Sequence, residues 1–70
     1  MSFIPLESSM ILGIRYDERL RDLDIVYRTG EKYRYKNVPR SVYDELMSAE
    51  SHGQFMHQKI LGRYEFRRLD

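Results

Sequence analysis

The side chains best suited to chemistry lie in the stretch Gly30-Glu31-Lys32-Tyr33-Arg34-Tyr35-Lys36, where two tyrosines set two apart have a basic residue before, between and after them. Aromatic rings interleaved with cations can stack nucleic-acid bases and hold phosphates, each stacked base contributing about 1 to 3 kcal/mol where the ring is exposed. The same spacing is that of a half-buried strand, with rings packed inward and charges in water. The other reactive groups are sparse. His52 and His57 would diverge by about 140° on a helix, so they share no ligand face, and His52 falls at a helix cap. There is no cysteine, no Gly-x-Ser-x-Gly and no His-Glu-x-x-His, so a lone His57 lacks the partners that acid–base or nucleophilic catalysis needs. Gly13, Gly30, Gly53 and Gly62 are scattered as turn and cap residues and form no phosphate cradle. The expectation is a protein without catalytic residues, metal site or cofactor.

Charge is balanced overall, at +1 from 12 basic and 11 acidic side chains, which does not mark the whole chain as a nucleic-acid binder. It is uneven along the chain. Arg28, Lys32, Arg34, Lys36 and Arg40 face Glu31 alone between 28 and 40, and Lys59, Arg63, Arg67 and Arg68 face Glu65 between 57 and 68. A polyanion would approach those two segments. The 70 residues, 41% of them hydrophobic, suffice for one small domain, 1–70, with its core over about 8–64. A chain of this size buries only about 60% of its surface, so stability is expected to be marginal and a homodimer or protein partner is a natural supplement. Absence of cysteine fits a cytoplasmic protein, and no apolar run approaches the ~20 residues of a membrane helix.

Position 30 fixes how the tyrosines are held. A three-residue hairpin loop favours glycine at its last position, and Arg28-Thr29-Gly30 fits. It sets Tyr27 opposite Glu31, Ile25 opposite Tyr33 and Leu23 opposite Tyr35, with the large apolar groups on one face. The other face then pairs Asp24 with Arg34 and Asp22 with Lys36, and sets Val26 against Lys32. Opposite charges across strands stabilise by roughly 0.2 to 1 kcal/mol each, and a one-residue slip would turn the tyrosines toward the acids.

Before this hairpin, Met10 to Tyr16 is strand-like, with Leu12, Ile14 and Tyr16 on one parity; Gly13 marks a bulge that brings Ile11 to the core as well. The first seven residues read as an arm. After the hairpin, Pro39 suits a helix's first turn, and Val42, Tyr43, Leu46 and Met47 form a helical stripe. Ser51 and Gln54 match a capping box opening a second helix with Phe55, Met56 and Ile60, which Gly62 ends. Tyr64 and Phe66 alternate with charges, the pattern of a short C-terminal strand in this chain or on a neighbouring subunit. The fold class is α+β: a three-stranded antiparallel β-meander followed by two short helices packed on one face.

The residues from Ser8 to Tyr64 resemble the KTSC domain, a module found at the C-terminus of some lysyl-tRNA synthetases and as a stand-alone bacterial protein. The resemblance is carried by Ser8-Ser9 before Ile11, Ile14, Tyr16-Asp17, the run Leu23, Ile25, Tyr27, then Gly30, Tyr33-Arg34-Tyr35, Val38-Pro39, Val42-Tyr43, Leu46, Ser51, Gly53, Phe55, Ile60 and Gly62-Arg63-Tyr64. Each motif alone is weak, but their order and spacing make the match specific. His57 departs from the family's usual asparagine, and Leu61 from a usual basic residue before Gly-Arg-Tyr. The resemblance implies a domain of unestablished function, for which the synthetase fusion suggests contact with RNA, either tRNA or single-stranded.

The candidate nucleic-acid-binding residues are Lys32, Tyr33, Arg34, Tyr35, Arg40 and Arg63. Within this set the hairpin register favours a core role for Tyr33 and Tyr35 over base stacking, with a mixed role open. It neutralises Arg34, so Lys32, Arg40 and Arg63 are the better phosphate candidates; Arg63 suits an anion or a helix-terminal carbonyl equally. The expected function is a non-catalytic binding module with weak RNA contact. The alternative is a protein-interaction or self-assembly module that uses a sheet edge or the C-terminal tail.

Overall fold

The structure, a computed structural model, describes residues 2–69. Strands β1 (Ile4–Pro5), β2 (Ile11–Asp17), β3 (Asp22–Tyr27) and β4 (Lys32–Tyr35) are followed by helices α1 (Arg40–Ser48) and α2 (His52–Phe55), a π-helical turn (Met56–Ile60) and strand β5 (Phe66–Arg68). All five strands join one antiparallel sheet in the order β1-β2-β3-β4-β5. The expected meander forms its centre, and the expected last strand pairs with β4 of the same chain. The N-terminal arm is corrected to an edge strand, because Ile4 and Pro5 pair with Ile14 and Gly13.

The hairpin register is the one the loop chemistry dictates. Leu23, Asp24, Ile25 and Val26 face Tyr35, Arg34, Tyr33 and Lys32, and the Tyr27 amide donates to the Glu31 carbonyl at 2.9 Å. Gly30 sits at φ +98°, the left-handed conformation that this loop needs at its last residue. On the other side of β3, the pairing steps from Ile11↔Tyr27 to Gly13↔Val26, a bulge at Leu12. Both Ile11 and Ile14 therefore reach the core, while Leu12, expected inside with Ile14, is 45% exposed because the extra residue turns it outward.

Ile11, Ile14, Leu23, Ile25, Val38, Leu46, Met56 and Ile60 are completely buried where the helices lie on the sheet. The Tyr16 ring stacks on Tyr43 of α1 with centroids 4.6 Å apart, and its hydroxyl donates to the Val38 carbonyl at 2.6 Å. Pro39 stands at the N-cap rather than inside the first turn of α1. Its carbonyl accepts from the amides of Val42 and Tyr43. Ser51 caps α2 as the capping box requires, its hydroxyl accepting from the Gln54 amide at 3.2 Å. The apolar periodicity did not reveal that the second helix widens to a π turn over Met56–Ile60, which buries both Met56 and Ile60.

Candidate functional site

The two faces of β4 give the tyrosines and the cations different surroundings. On the helix side, the helices cover the sheet over β2 and β3 but stop short of its β4–β5 end. What remains there is an open groove of about 600 Å³, lined chiefly by Met10, Tyr27, Tyr33, Tyr35, Leu61 and Phe66. Tyr33 meets Tyr27 edge to face at 5.8 Å and Phe66 at 5.6 Å, while Tyr35 lies tilted to Phe66 at 5.9 Å. Tyr35 is only 3% exposed, whereas Phe66 is 58% exposed. Tyr35 thus belongs to the core, and half-buried Tyr33 belongs both to the core and to the groove wall.

Below these rings, the Tyr27 and Tyr35 hydroxyls approach to 2.6 Å, a hydrogen bond in which either can donate. Burial holds both hydroxyls above the ordinary tyrosine value; at Tyr27 the contact with Tyr35 adds to the rise, and at Tyr35 the hydrogen bond partly offsets it. Both stay neutral in ordinary buffers. The groove's edge carries charges of both signs, from Arg28 and Glu31. Arg28 lines it and donates to the carbonyls of Ser8 and Leu6, which leave its charge uncompensated. Arg68 stands opposite Tyr33 and bridges Glu31 at 3.3 Å.

The outer face of the sheet carries the cations that alternate with the tyrosines. A cross-strand row runs Arg15, Asp24, Arg34, Arg67 over β2 to β5. The Asp24 carboxylate accepts from Arg15 Nε and Nη2 at 3.1 and 2.8 Å and from Arg34 Nε and Nη2 at 2.9 and 3.0 Å. Burial alone would raise the Asp24 pKa, but these hydrogen bonds outweigh it and hold the carboxyl below its ordinary value. Arg34 also lies 3.6 Å from Asp22, and Lys36 Nζ lies 3.2 Å from Asp22 Oδ1. That last contact is electrostatic, since Oδ1 has no aligned hydrogen bond. Asp22 and Asp24 are not solvated, as a solvent face would leave them, but 4% and 3% exposed. The long stems of Arg15, Arg34 and Lys36 lie over them.

The six residues singled out from sequence are therefore not assembled on one surface. Tyr33 and Tyr35 enter the groove. Lys32 and Arg34 point to the opposite face, where exposed Lys32 has no ion pair among the described residues and Arg34 is taken by the aspartates. Arg40 lies at the other end of the sheet from the 28–30 loop, held by Glu18 at 2.8 Å and Asp44 at 3.0 Å. Arg63 follows Gly62 of the groove wall, and its Nε donates to the Gln58 carbonyl at 3.0 Å, so of its two readings the carbonyl one is observed. Sequence reasoning did not single out Phe66, Arg28 or Leu61 as site residues. The alternation Tyr64-Glu65-Phe66-Arg67 was the available signal for Phe66, but it did not say which face β5 would present.

Among the described residues, no group of three or more His, Asp or Glu side chains is placed to hold a metal ion, and no helix is long and apolar enough to cross a membrane. The family model of the KTSC domain matches residues 7–64. The chain belongs to the KTSC domain family. Its fold is that of a crystal structure of a KTSC domain protein from Yersinia pestis, with a TM-score of 0.96 and 36% identity over 99% of this chain and 97% of that one. A protein from Tsukamurella paurometabola is 37% identical over 60 residues, covering 86% of this chain and 90% of its own. A lysine–tRNA ligase from Trichormus variabilis is 35% identical over 63 residues, 90% of this chain but 11% of the ligase. The KTSC domain thus spans about a tenth of the ligases it matches, and the residues matched to the family stop two short of Phe66.

Proposed function

We propose that this KTSC domain is a non-catalytic, cytoplasmic binding module that makes weak contact with single-stranded RNA through the aromatic groove. The observation that carries this reading is an open cavity walled by Tyr33 and Phe66 and edged by Arg28 and Glu31, with Arg68, opposite Tyr33 in the sheet, bridging the Glu31 carboxylate. Exposed rings beside cations are what sequence-tolerant binding of single strands uses. Kinship with a domain in lysine–tRNA ligases supports RNA as the ligand class. The few cations at the groove imply neutralisation of about two or three phosphates, so binding weakens by about tenfold over a fourfold rise in salt.

The test is electrophoretic mobility of tRNA and of unstructured oligoribonucleotides with the pure domain at low salt. A shift is expected at roughly tens of micromolar protein, weakened by Phe66→Ala on the scale of one lost stack, about 1 to 3 kcal/mol. No shift at that concentration refutes RNA binding. A second reading, self-association through the β1 edge, draws on the exposed Leu12 side chain beside Phe3 and Pro5 and on exposed Ile4 in the same edge strand. The tail gives it less support, because β5 is already paired within the chain. A light-scattering mass of one chain at high concentration would remove it.

A further inference from the structure

We propose that the groove receives a single unpaired nucleobase, its ring against Phe66 and Tyr33 and its polar edge hydrogen-bonded by the paired hydroxyls of Tyr27 and Tyr35. This rests on the RNA reading above and adds what the site recognises. The argument begins with the hydroxyl pair. Two phenols in contact at 2.6 Å share one hydrogen between them and keep the second free, together with unused oxygen lone pairs. Both tyrosines line the cavity, with Ser9, Arg28, Thr29 and Glu31 among its other residues, and the hydroxyl pair carries one donor and adjacent acceptor capacity among the aromatic side chains.

An aliphatic chain would fill the walls but leave the pair's second hydroxyl hydrogen without a partner, an unfavourable outcome in a desolvated site. A cationic side chain would meet Glu31 at the rim, but that carboxylate is already bridged by Arg68 at 3.3 Å and Arg28 repels a further positive charge. A planar, neutral ring with a polar edge satisfies walls and floor together. The elevated pKa values of the two phenols keep the donor hydrogen in place across the physiological range. Their neutrality also avoids repelling the phosphates that accompany the base. The wall position Leu61 adds apolar surface where the family resemblance implies a cation.

Two measurements test the proposal with the intact chain. In the first, wild-type protein is titrated with short oligouridylate and with the same oligomer carrying a non-polar uracil isostere of equal shape. Removing the polar edge should weaken binding about fivefold, the scale of one neutral hydrogen bond; a change under about twofold overturns the hydroxyl readout. An abasic oligomer should lose the ring contact as well and bind more weakly than either. Equal binding of all three overturns the nucleobase site while leaving phosphate contact intact. In the second, Tyr27→Phe/Tyr35→Phe, which keeps both rings, should bind the uridylate and isostere oligomers with equal affinity, and persistence of the wild-type preference overturns the assignment. If wild-type protein binds no oligomer at all, the RNA reading itself fails, and this inference falls with it. The isostere series needs no variant, so loss of folding in the double substitution does not block the test.

Discussion

Replacing Asp24 by asparagine removes a negative charge from between two guanidinium groups while changing almost no volume. In the wild type the carboxylate accepts four hydrogen bonds from Arg15 and Arg34 and is 3% exposed. Asparagine offers one acceptor oxygen and turns two N–H donors toward groups that are themselves only donors. Breaking a buried pair in this way destabilises by about 3 to 5 kcal/mol. Here the lower end applies, because the Arg15 and Arg34 side chains are 26% and 32% exposed and can turn toward water. A loss of about 3 kcal/mol is a large part of the roughly 4 to 10 kcal/mol expected for a chain of this length. Urea unfolding followed by circular dichroism should show the midpoint falling by about 3 M, taking a slope of about 1 kcal/mol/M.

The pH dependence gives an independent sign. Because the folded-state pKa of Asp24 lies below its ordinary 3.8, its contribution is present above that value and is lost as pH falls through the folded value. The gap between wild type and Asp24→Asn should therefore close in acid. A loss below about 1 kcal/mol at neutral pH, or a gap that does not close, refutes the account of Asp24 as the clamp of the outer face. Changing Asp24 to leucine together with Arg15 and Arg34 to methionine should restore only part of the stability, since the Asp24 charge is gone but buried Asp22 then keeps Lys36 alone as its cation.

Removing the α2 cap by Ser51→Ala should lower unfolding stability by about 1 kcal/mol, and an unchanged urea midpoint would refute the cap's role. Arg67→Glu converts a like-charge cross-strand pair with Arg34 into an attractive one; it should raise stability by about 0.2 to 1 kcal/mol, more at low salt than at high. Tyrosinate absorbance should show Tyr16, Tyr27 and Tyr35 ionising above the ordinary 10.0, burial being the first cause in each. Their contribution is complete below that pH and falls as pH rises toward the folded values, by up to about 1.4 kcal/mol per unit for each group. Tyr27→Phe should flatten that alkaline limb of a stability curve, and an unchanged limb would show that the hydroxyl pair is not shielded.

Local chemistry made the centre of this fold legible. Gly30 after Arg28-Thr29 fixes the hairpin, the two-residue period then fixes which side chains share a face, and Gly13 announces the bulge that admits Ile11. Burial of Asp22 and Asp24 was not legible, because alternation says which face a residue takes and not what lies across it. The edge strands are too short for periodicity: Ile4–Pro5 gains its place from pairing with β2, and Phe66–Arg68 from pairing with β4. The groove followed the same logic. Tyr33 was assigned to the correct face, but whether that face is roofed depends on where the π turn and Gly62 end the helical layer, a tertiary fact.

The alternation that makes Tyr33-Arg34-Tyr35 look like a nucleic-acid motif also prevents it from acting as one. Neighbouring residues of a strand face opposite sides of the sheet, so a base stacked on Tyr33 cannot have its phosphate held by Arg34, which Asp24 already occupies. An RNA strand in the groove must find its cations on the same side: Arg28 at the hairpin and Arg68 opposite Tyr33. Arg68 and the most exposed ring, Phe66, lie beyond the residues matched to the family. Charge reversal on the groove side, at Arg68, should therefore weaken RNA binding. The same change on the outer face, at Lys32, should not, and equal effects would mean that the strand follows the sheet's surface and ignores the groove.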